Sequence, residues 1–413
     1  MLQSALGLAV LIGIAWLSSS ARRRVPWRML LGGVGLQFAI AGLMLKVPLF
    51  SGVFMGLNKV VLAMEEATRA GTAFVFGYLG GGPVPFPEPK PGSSFILAFQ
   101  ALPLVIVIGA LTSLLFYWRV LPHVVRAFSW VLAKTMGIGG ALGVGAGGTI
   151  FLGMIEAPLL IKPYLNHLTR SELFALMATG LSCIAGTMLM LYAAVLGGVI
   201  PDALGHILTA SVIHAPAALA VAAVMLPETG TPTLGDDIPP SQASGAMDAV
   251  AKGTWDGLQL FLNIIAMLIS FLALVKIVNL GLAFLPDFGG EALTLQRTLG
   301  WLLAPAAWLL GVPWEECRAA GSLLGVKIVL NEFIAFMDMA QLPAGTLGDR
   351  SRLILTYAMC SFANFGSVGI IIGGLGALCP ERRTEIAGLA MKALFAGAIA
   401  SLMTGAVVGV LFP

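Results

Sequence analysis

Long apolar stretches alternate with short charged connections along most of the chain. The pattern predicts membrane spans at 2–18, 29–50, 95–118, 172–200, 205–226, 257–285, 352–376 and 386–412. Crossing the hydrocarbon core of a bilayer takes about 20 predominantly apolar residues, and these stretches are of that order or longer. The sequence therefore predicts an all-α polytopic membrane protein with about eight transmembrane helices.

Two further apolar stretches, 136–165 and 310–345, are broken by Gly or Pro, and each carries an acid, Glu156 or Glu332. We expect each to enter the membrane and return on the same side, as a re-entrant hairpin. Each is followed by a charged turn, a long span with a polar interruption and a further span. The two opposed hairpins therefore predict an inverted repeat, which is the layout of many secondary transporters.

The remaining segments divide the chain. Residues 53–73 mix charged and apolar positions and predict an amphipathic helix lying in the membrane interface, and 227–253 is a polar linker. The predicted organisation is an N-terminal scaffold with the interfacial helix, a first transport repeat, a linker with one scaffold span and a connecting segment, and a second transport repeat. These parts cover 1–135, 136–226, 227–309 and 310–413.

Composition agrees with this pattern. Hydrophobic residues make up 58% of the chain and charged residues 10%, and the mean hydropathy is +0.95. These values exclude a soluble enzyme, a nucleic-acid binder and a disordered scaffold. The four cysteines form no CxxC pair, so neither a zinc site nor a disulfide framework is expected, and the sequence predicts no cofactor.

Basic residues set the expected orientation. They are concentrated in loops that the positive-inside rule places in the cytoplasm: Arg22, Arg23, Arg24, Arg119, Arg126, Lys134, Lys162, Arg170, Arg382 and Arg383. The first span precedes its positive charges, unlike a cleaved signal peptide. We therefore expect a multi-pass protein of a bacterial cytoplasmic membrane, with a retained first span and with the N- and C-termini outside.

Polar residues inside the apolar stretches are the candidates for chemistry. A carboxylate at membrane depth is costly unless it is paired or hydrated, so Glu156 and Glu332 are expected to face a cavity; the alternative is a protonated structural Glu bonded between helices. Asn364 and Ser367 are three residues apart in the seventh span and share one helix face. Their alternative role is hydrogen bonding between helices.

Three functional classes fit these residues. An inverted repeat with two hairpins favours alternating access, and hence a transporter, over an open channel. An intramembrane enzyme using Glu156 and Glu332 as a carboxylate pair is disfavoured, because the sequence has no HExxH, Ser-Lys or Asp-Asp signature.

Five short motifs resemble, in order and spacing, those of the concentrative nucleoside transporter family. They are Gly153-x-x-Glu156-Ala157-Pro158, Gly311-Val312-Pro313-Trp314, Asn331-Glu332-Phe333, Phe362-Ala363-Asn364-x-x-Ser367 and Pro380-Glu381-Arg382-Arg383. The resemblance covers essentially the whole chain. It implies eight spans, interfacial helices and two opposed hairpins, assembled as a homotrimer in which a transport part moves past a scaffold like an elevator.

The resemblance also implies a substrate site. Glu332, Asn364 and Ser367 would hold the ribose hydroxyls of a nucleoside, with Phe362 beside them, and Glu156 and its neighbours would face the base. Family members usually have Gln and then Thr or Ser before the first acid, where this chain has Met154 and Ile155. This replacement predicts weak discrimination among bases and leaves another ribose-like or heterocyclic solute as the alternative substrate.

The coupling ion is expected at a second site. Sodium-coupled members use side-chain oxygens of an Asn and a Ser, with backbone carbonyls beside them. The matching residues here are Thr149 and Cys183, with the carbonyls of Leu152 and Ile184. A thiol is a poor ligand for a hard cation, so we expect weak sodium binding. Symport with a proton carried by Glu156 or Glu332 is the favoured hypothesis, and sodium is the alternative.

Overall fold

The computed structural model describes residues 1–86, 94–196, 200–235, 238–239, 241, 243–287 and 292–412. Within these ranges the regular structure is helical, without a β-strand. Five described helices are long and apolar enough to cross a membrane: Trp27–Lys46, Leu97–Tyr117, Ala203–Met225, Ala246–Leu282 and Pro380–Leu411. Two shorter apolar helices are Leu2–Leu17 and Phe365–Leu378. Parts of the predicted linker at 227–253 and of the predicted span at 172–200 lie outside the described residues.

The N-terminal third contains six helices: α1 (Leu2–Leu17), α2 (Trp27–Lys46), α3 (Pro48–Phe76), α4 (Leu97–Gln100), α5 (Leu104–Tyr117) and α6 (Val120–Met136). The predicted interfacial segment 53–73 lies inside α3, which extends beyond it at both ends. The second span was predicted to run to 50, but α2 ends at Lys46. Pro48 explains the difference, because proline lacks the N–H that a helix interior needs and suits a first helical position.

Residues 136–310 contain the first repeat and two helices after it: α7 (Gly140–Thr149), α8 (Glu156–Leu159), α9 (Arg170–Ser182), α10 (Gly186–Leu196), α11 (Ala203–Met225), α12 (Ala246–Leu282) and α13 (Leu295–Leu310). The second repeat contains α14 (Cys317–Val329), α15 (Glu332–Gln341), α16 (Asp349–Met359), α17 (Phe365–Leu378) and α18 (Arg383–Leu411).

The two repeats have the same order of elements. Each begins with two short helices separated by a turn, α7 with α8 and α14 with α15. A helix broken in its middle follows, at 183–185 in the first repeat and at 360–364 in the second. A long helix, α11 or α18, completes each repeat. The breaks lie inside the predicted spans 172–200 and 352–376, where the sequence indicated polar interruptions.

Two helices lie where the sequence indicated only connections. Helix α6 covers most of a stretch that was assigned to a loop because of Arg119, Arg126 and Lys134, and α13 covers the end of the connecting segment before 310. Both are amphipathic: α6 buries Val125 and Leu132 on one face. A search for uniformly apolar spans passes over such helices, because the charged positions of α6 and the polar first turn of α13 lower the mean hydropathy.

Helix α11 forms the centre of the structure, and nearly all of its residues are buried. Helix α2 packs closely against it at Gly33, where a Cβ atom would lie 2.6 Å from the carbonyl oxygen of Pro216. Gln37 of the same helix donates a hydrogen bond of 3.0 Å to Thr404 Oγ1 of α18. Helix α2 is therefore tied to the last helices of both repeats.

Helix α12 lies at the periphery and packs mainly against α5. The two helices approach at glycines: a Cβ atom on Gly109 would lie 2.7 Å from the carbonyl oxygen of Gly253. Close approach at small residues is typical of helix pairs in membranes. The opposite face of α12 presents apolar side chains such as Ile269 and Ile277, which are 66% and 62% exposed in the single chain.

Candidate functional site

The break at 360–364 positions the first polar group of the candidate site. Asn364 caps the N-terminus of α17, and its Oδ1 accepts a 2.8 Å hydrogen bond from the backbone N–H of Ser367. The cap fixes the amide so that its Nδ2 donates a 3.0 Å hydrogen bond to Glu332 Oε2. Asn364 and Ser367, which the sequence predicted to share a helix face, are both buried.

Glu332 is positioned in a similar way. It is the first residue of α15, and Asn331 caps that helix by accepting a 2.8 Å hydrogen bond from the N–H of Ile334. The Glu332 side chain is buried, and the Tyr192 hydroxyl donates a hydrogen bond of 2.5 Å to its Oε1. Each carboxylate oxygen therefore has a side-chain donor, and the backbone N–H of Glu332 adds a further hydrogen bond, as a buried carboxylate requires. We call Glu332, Tyr192, Asn364 and Ser367 the Glu332 centre.

Backbone hydrogen bonds connect the two helix breaks. The N–H of Phe362 donates to the carbonyl of Cys183 over 3.4 Å, so the break of the second repeat contacts the break of the first. The N–H of Gly186 donates to the carbonyl of Phe151 over 3.0 Å, which adds the turn between α7 and α8. Phe362, predicted to lie beside the substrate, is therefore next to Asn364 at a junction that both repeats build.

The turn between α7 and α8 contributes apolar side chains to this junction. The side chain of Ile155 contacts Gly374 of α17 so closely that a Cβ atom on that glycine would overlap it. Met154 is buried, and its Cβ lies against Gly180 of α9. The two residues that stand where family members carry polar groups are therefore packed against helices of opposite repeats.

Glu156 lies apart from the Glu332 centre. It is the first residue of α8, it is exposed in the single chain, and its carboxylate accepts hydrogen bonds from backbone N–H groups at 153, 155 and 156. Asp256 on α12 is close enough for electrostatic repulsion between the two carboxylates. Among the described residues no hydrogen bond joins the two acids, so the structure does not bring Glu156 and Glu332 together as a carboxylate pair.

The structure brings Thr149 and Cys183 of the predicted ion site into contact. The Thr149 hydroxyl donates to the carbonyl of Ala146 over 2.7 Å and also meets the thiol of Cys183. That thiol in turn donates to the carbonyl of Ser211 over 3.6 Å. Leu152 and Ile184 are buried in the turn and in the break on either side. The hydrogen bond from the N–H of Gly186 to the carbonyl of Phe151 joins this turn to this break.

Sequence reasoning missed two residues of this region. Tyr192 is the only tyrosine of the predicted span 172–200, and Lys327 is a lysine within an apolar run five residues before Glu332. A polar residue deep in a span is a signal that both of them carry. A third contact over a long separation joins the repeats: the Nδ1 of His206 lies 3.0 Å from the hydroxyl of Tyr357.

Comparisons with known proteins cover the same elements. Family models match three parts of the chain: "Na+ dependent nucleoside transporter" N-terminus at 6–79, "Nucleoside recognition" at 98–199 and "Na+ dependent nucleoside transporter" C-terminus at 206–409. The uncharacterized transporter YutK of Bacillus subtilis is 38% identical over 98% of both chains. The nucleoside permease NupC of Helicobacter pylori is 34% identical over 98% of this chain and 96% of its own length.

A solved structure agrees with the sequence matches. The transporter CNTnw in an inward-facing, substrate-bound state superposes with a TM-score of 0.91, at 34% identity, over 100% of this chain and 99% of the other. The chain belongs to the concentrative nucleoside transporter family. This confirms the family resemblance and the all-α membrane fold. Relatives that match this chain over nearly their whole length are named transporters or permeases. This family member is therefore a transporter and not an enzyme.

The two helix caps provide a test of the Glu332 centre that needs no substrate. Asn331→Ala removes only a cap, which costs about 1 kcal/mol. Asn364→Ala removes a cap and also a hydrogen bond to a buried carboxylate, which adds about 1.5–3 kcal/mol. We expect Asn364→Ala to lower the unfolding temperature of the purified protein clearly more than Asn331→Ala does. Equal losses would show that the bond to Glu332 contributes nothing.

Proposed function

We propose that this family member imports nucleosides by cation symport and that the Glu332 centre binds their ribose. The observation that carries the proposal is the geometry of Glu332, a buried carboxylate held by Tyr192 and Asn364 where two helix breaks meet. A carboxylate has about four lone-pair positions; Tyr192 and Asn364 use two, and the backbone N–H of Glu332 also hydrogen-bonds to the carboxylate. The acceptor capacity that remains suits a hydroxyl of the ribose, while Asn364 and Ser367 lie beside it for the neighbouring hydroxyl, and the name of the relative NupC supports the choice of substrate.

The base would lie toward the first hairpin. Met154 and Ile155 present apolar surface there, so Glu156 is the acidic group that this turn offers to a base. Specificity for the polar edge of a base requires buried polar partners. The proposal therefore includes weak discrimination among nucleosides. The same two residues support the second candidate substrate, a ribose-like or heterocyclic solute without a nucleoside base.

Alternating access would move the repeats relative to a smaller scaffold. Helices α1 and α2 pack on α11, α13 and α18, whereas α12 packs mainly on α5. This packing favours a moving unit that includes α1 and α2. The scaffold predicted for 1–135 would then keep α3 and α5 but not these two helices. Helices α3, α5 and α12 would remain fixed, and the exposed apolar face of α12 would contact lipid or the other subunits of a homotrimer.

The basic loops support a location in the bacterial cytoplasmic membrane with both termini outside. In that orientation the chain imports its substrate when a cation gradient drives the cycle.

Proton coupling is favoured over sodium at the ion site. The Thr149 hydroxyl keeps lone pairs for a cation, but Cys183 contributes a soft sulfur whose hydrogen is directed at the carbonyl of Ser211. Such a site is poor for a hard cation. Glu156 and Glu332 are the acids available to carry a proton. The matched family models are described as Na+ dependent, so sodium is the alternative that the test must separate.

The ribose assignment predicts the effect of Glu332→Gln. This change leaves the volume of the side chain but removes the charged acceptor, and each hydrogen bond to a charged group contributes about 1.5–3 kcal/mol. We expect uridine uptake into proteoliposomes to be nearly abolished, and Ser367→Ala to weaken it less. Competition by 2′,3′-dideoxyuridine should be weak in the wild type. Competition equal to that of uridine would show that Glu332 does not read the hydroxyls.

The base assignment predicts a gain of specificity. Met154→Gln with Ile155→Thr restores polar groups beside the base, so the double variant should separate uridine from adenosine more strongly than the wild type does. The measurement is the ratio of inhibition constants against labelled nucleoside uptake, with Met188→Gln, a buried methionine of α10, as a matched control. A wild type that already rejects all but one nucleoside by orders of magnitude would contradict this assignment.

The ion assignment predicts which gradient drives uptake. In proteoliposomes with separately imposed gradients, an inward proton gradient should accumulate labelled uridine, and an inward sodium gradient alone should not. In the variant Thr149→Asn with Cys183→Ser, a hydroxyl oxygen replaces the sulfur and an amide oxygen replaces the Thr149 hydroxyl, so the variant should gain a response to sodium. Accumulation by the wild type under sodium alone, with no response to protons, would reject proton coupling.

A further inference from the structure

Lys327 is a buried cation without a role in the proposed transport cycle. It lies in the last turn of α14 and is 1% exposed. Its Nζ donates a 3.1 Å hydrogen bond to the carbonyl oxygen of Ala363, inside the break at 360–364. Burying an ammonium group in a low-dielectric region costs several kcal/mol unless partners compensate it. The groups around Lys327 must therefore compensate the cost of burying its charge.

Three titratable groups from other elements face the Lys327 ammonium. Glu332 on α15 attracts it through space, and Cys360 lies at the break. His214 of α11 is the third. Its Nε2 lies 3.2 Å from the carbonyl oxygen of Tyr357, and among the described residues its Nδ1 has no hydrogen-bond partner. Within the described residues Lys327 and Glu332 form no direct ion pair, so the ammonium is bonded to the backbone while its charge acts on the carboxylate from a distance.

The bonded carbonyl belongs to the residue immediately before Asn364. Fixing the Ala363 carbonyl fixes the plane of the Ala363–Asn364 peptide bond, and with it the backbone position from which Asn364 caps α17 and donates to Glu332. In a membrane a carbonyl released by a helix break needs an internal donor, and Lys327 supplies it. The lysine and Glu332 also lie at the end of α14 and at the start of α15, where each charge complements its helix dipole.

We propose that Lys327 is a positioning residue for the Glu332 centre: it holds the 360–364 break in place through the Ala363 carbonyl and supplies the positive charge that balances Glu332. It does not itself contact the substrate. The effect on transport rests on the proposed nucleoside function, whereas the effect on the ligand-free protein does not.

The chain offers a matched control. Lys392 of α18 also donates to a backbone carbonyl, that of Met225, over 3.2 Å. It is only part-buried, and the bond joins α18 to the end of α11 instead of to a helix break. Lys392→Met therefore removes the same kind of hydrogen bond without touching the Glu332 centre.

The first experiment measures KM and Vmax for uridine and for 3′-deoxyuridine in proteoliposomes. Lys327→Met should raise KM for uridine about tenfold, because Asn364 and Glu332 no longer converge. It should raise KM for 3′-deoxyuridine less, so that the ratio of the two values moves toward one. Lys327→Arg should retain part of the ratio, and Lys392→Met should leave it unchanged. Equal losses for both substrates, through Vmax alone, would overturn the positioning role.

The second experiment uses ligand-free protein and applies even if Lys327→Met folds poorly. Unfolding temperatures of Lys327→Met, Glu332→Gln and the double variant form a double-mutant cycle. Because the single lysine variant leaves a buried carboxylate without its cation, the double variant should be more stable than additivity allows, by several degrees. Additive losses would overturn the charge balance. A wild type that takes up no nucleoside would refute the proposed function, while this cycle still decides the role of Lys327.

Discussion

A broken helix inside a membrane must satisfy its free backbone groups and its polar side chains within the protein, because lipid offers no hydrogen bonds. The buried Glu332 carboxylate is such a group. It is satisfied by an amide that caps one half-helix and by the hydroxyl of Tyr192 from another. The positions of the second break, of α15 and of α10 therefore depend on one another, and together they bring donors and acceptors to the Glu332 carboxylate.

The two repeats give the two sides of the junction different chemistry. The second repeat supplies charge and hydrogen bonds through Glu332, Asn364 and Lys327, which suits a hydroxylated sugar. The first repeat supplies apolar contacts through Met154 and Ile155, together with the contact between Thr149 and the thiol of Cys183, which we propose as the ion position. The ribose, which is common to the nucleosides, would contact the polar side, and the base, which varies, would contact the apolar side.

Sequence reasoning located the acid, amide and hydroxyl of the second repeat because polar residues are conspicuous in apolar spans. It also placed most helices correctly, since the length of a span is set by bilayer thickness. It missed α6 and α13, whose amphipathic patterns resemble loops when only mean hydropathy is considered. Tyr192 was missed because its partner is 140 residues away in the chain, and periodicity within one helix carries no information about contacts over that separation.

Counterflow tests most directly whether this protein is a carrier whose Glu332 centre binds nucleosides. Proteoliposomes are loaded with unlabelled uridine, diluted into a trace of labelled uridine without any ion gradient, and followed over time. A carrier with the proposed site exchanges the two pools and shows a transient accumulation of label above equilibrium, which Glu332→Gln eliminates. A wild type that only equilibrates the label, or a variant that exchanges as well as the wild type, would contradict the account.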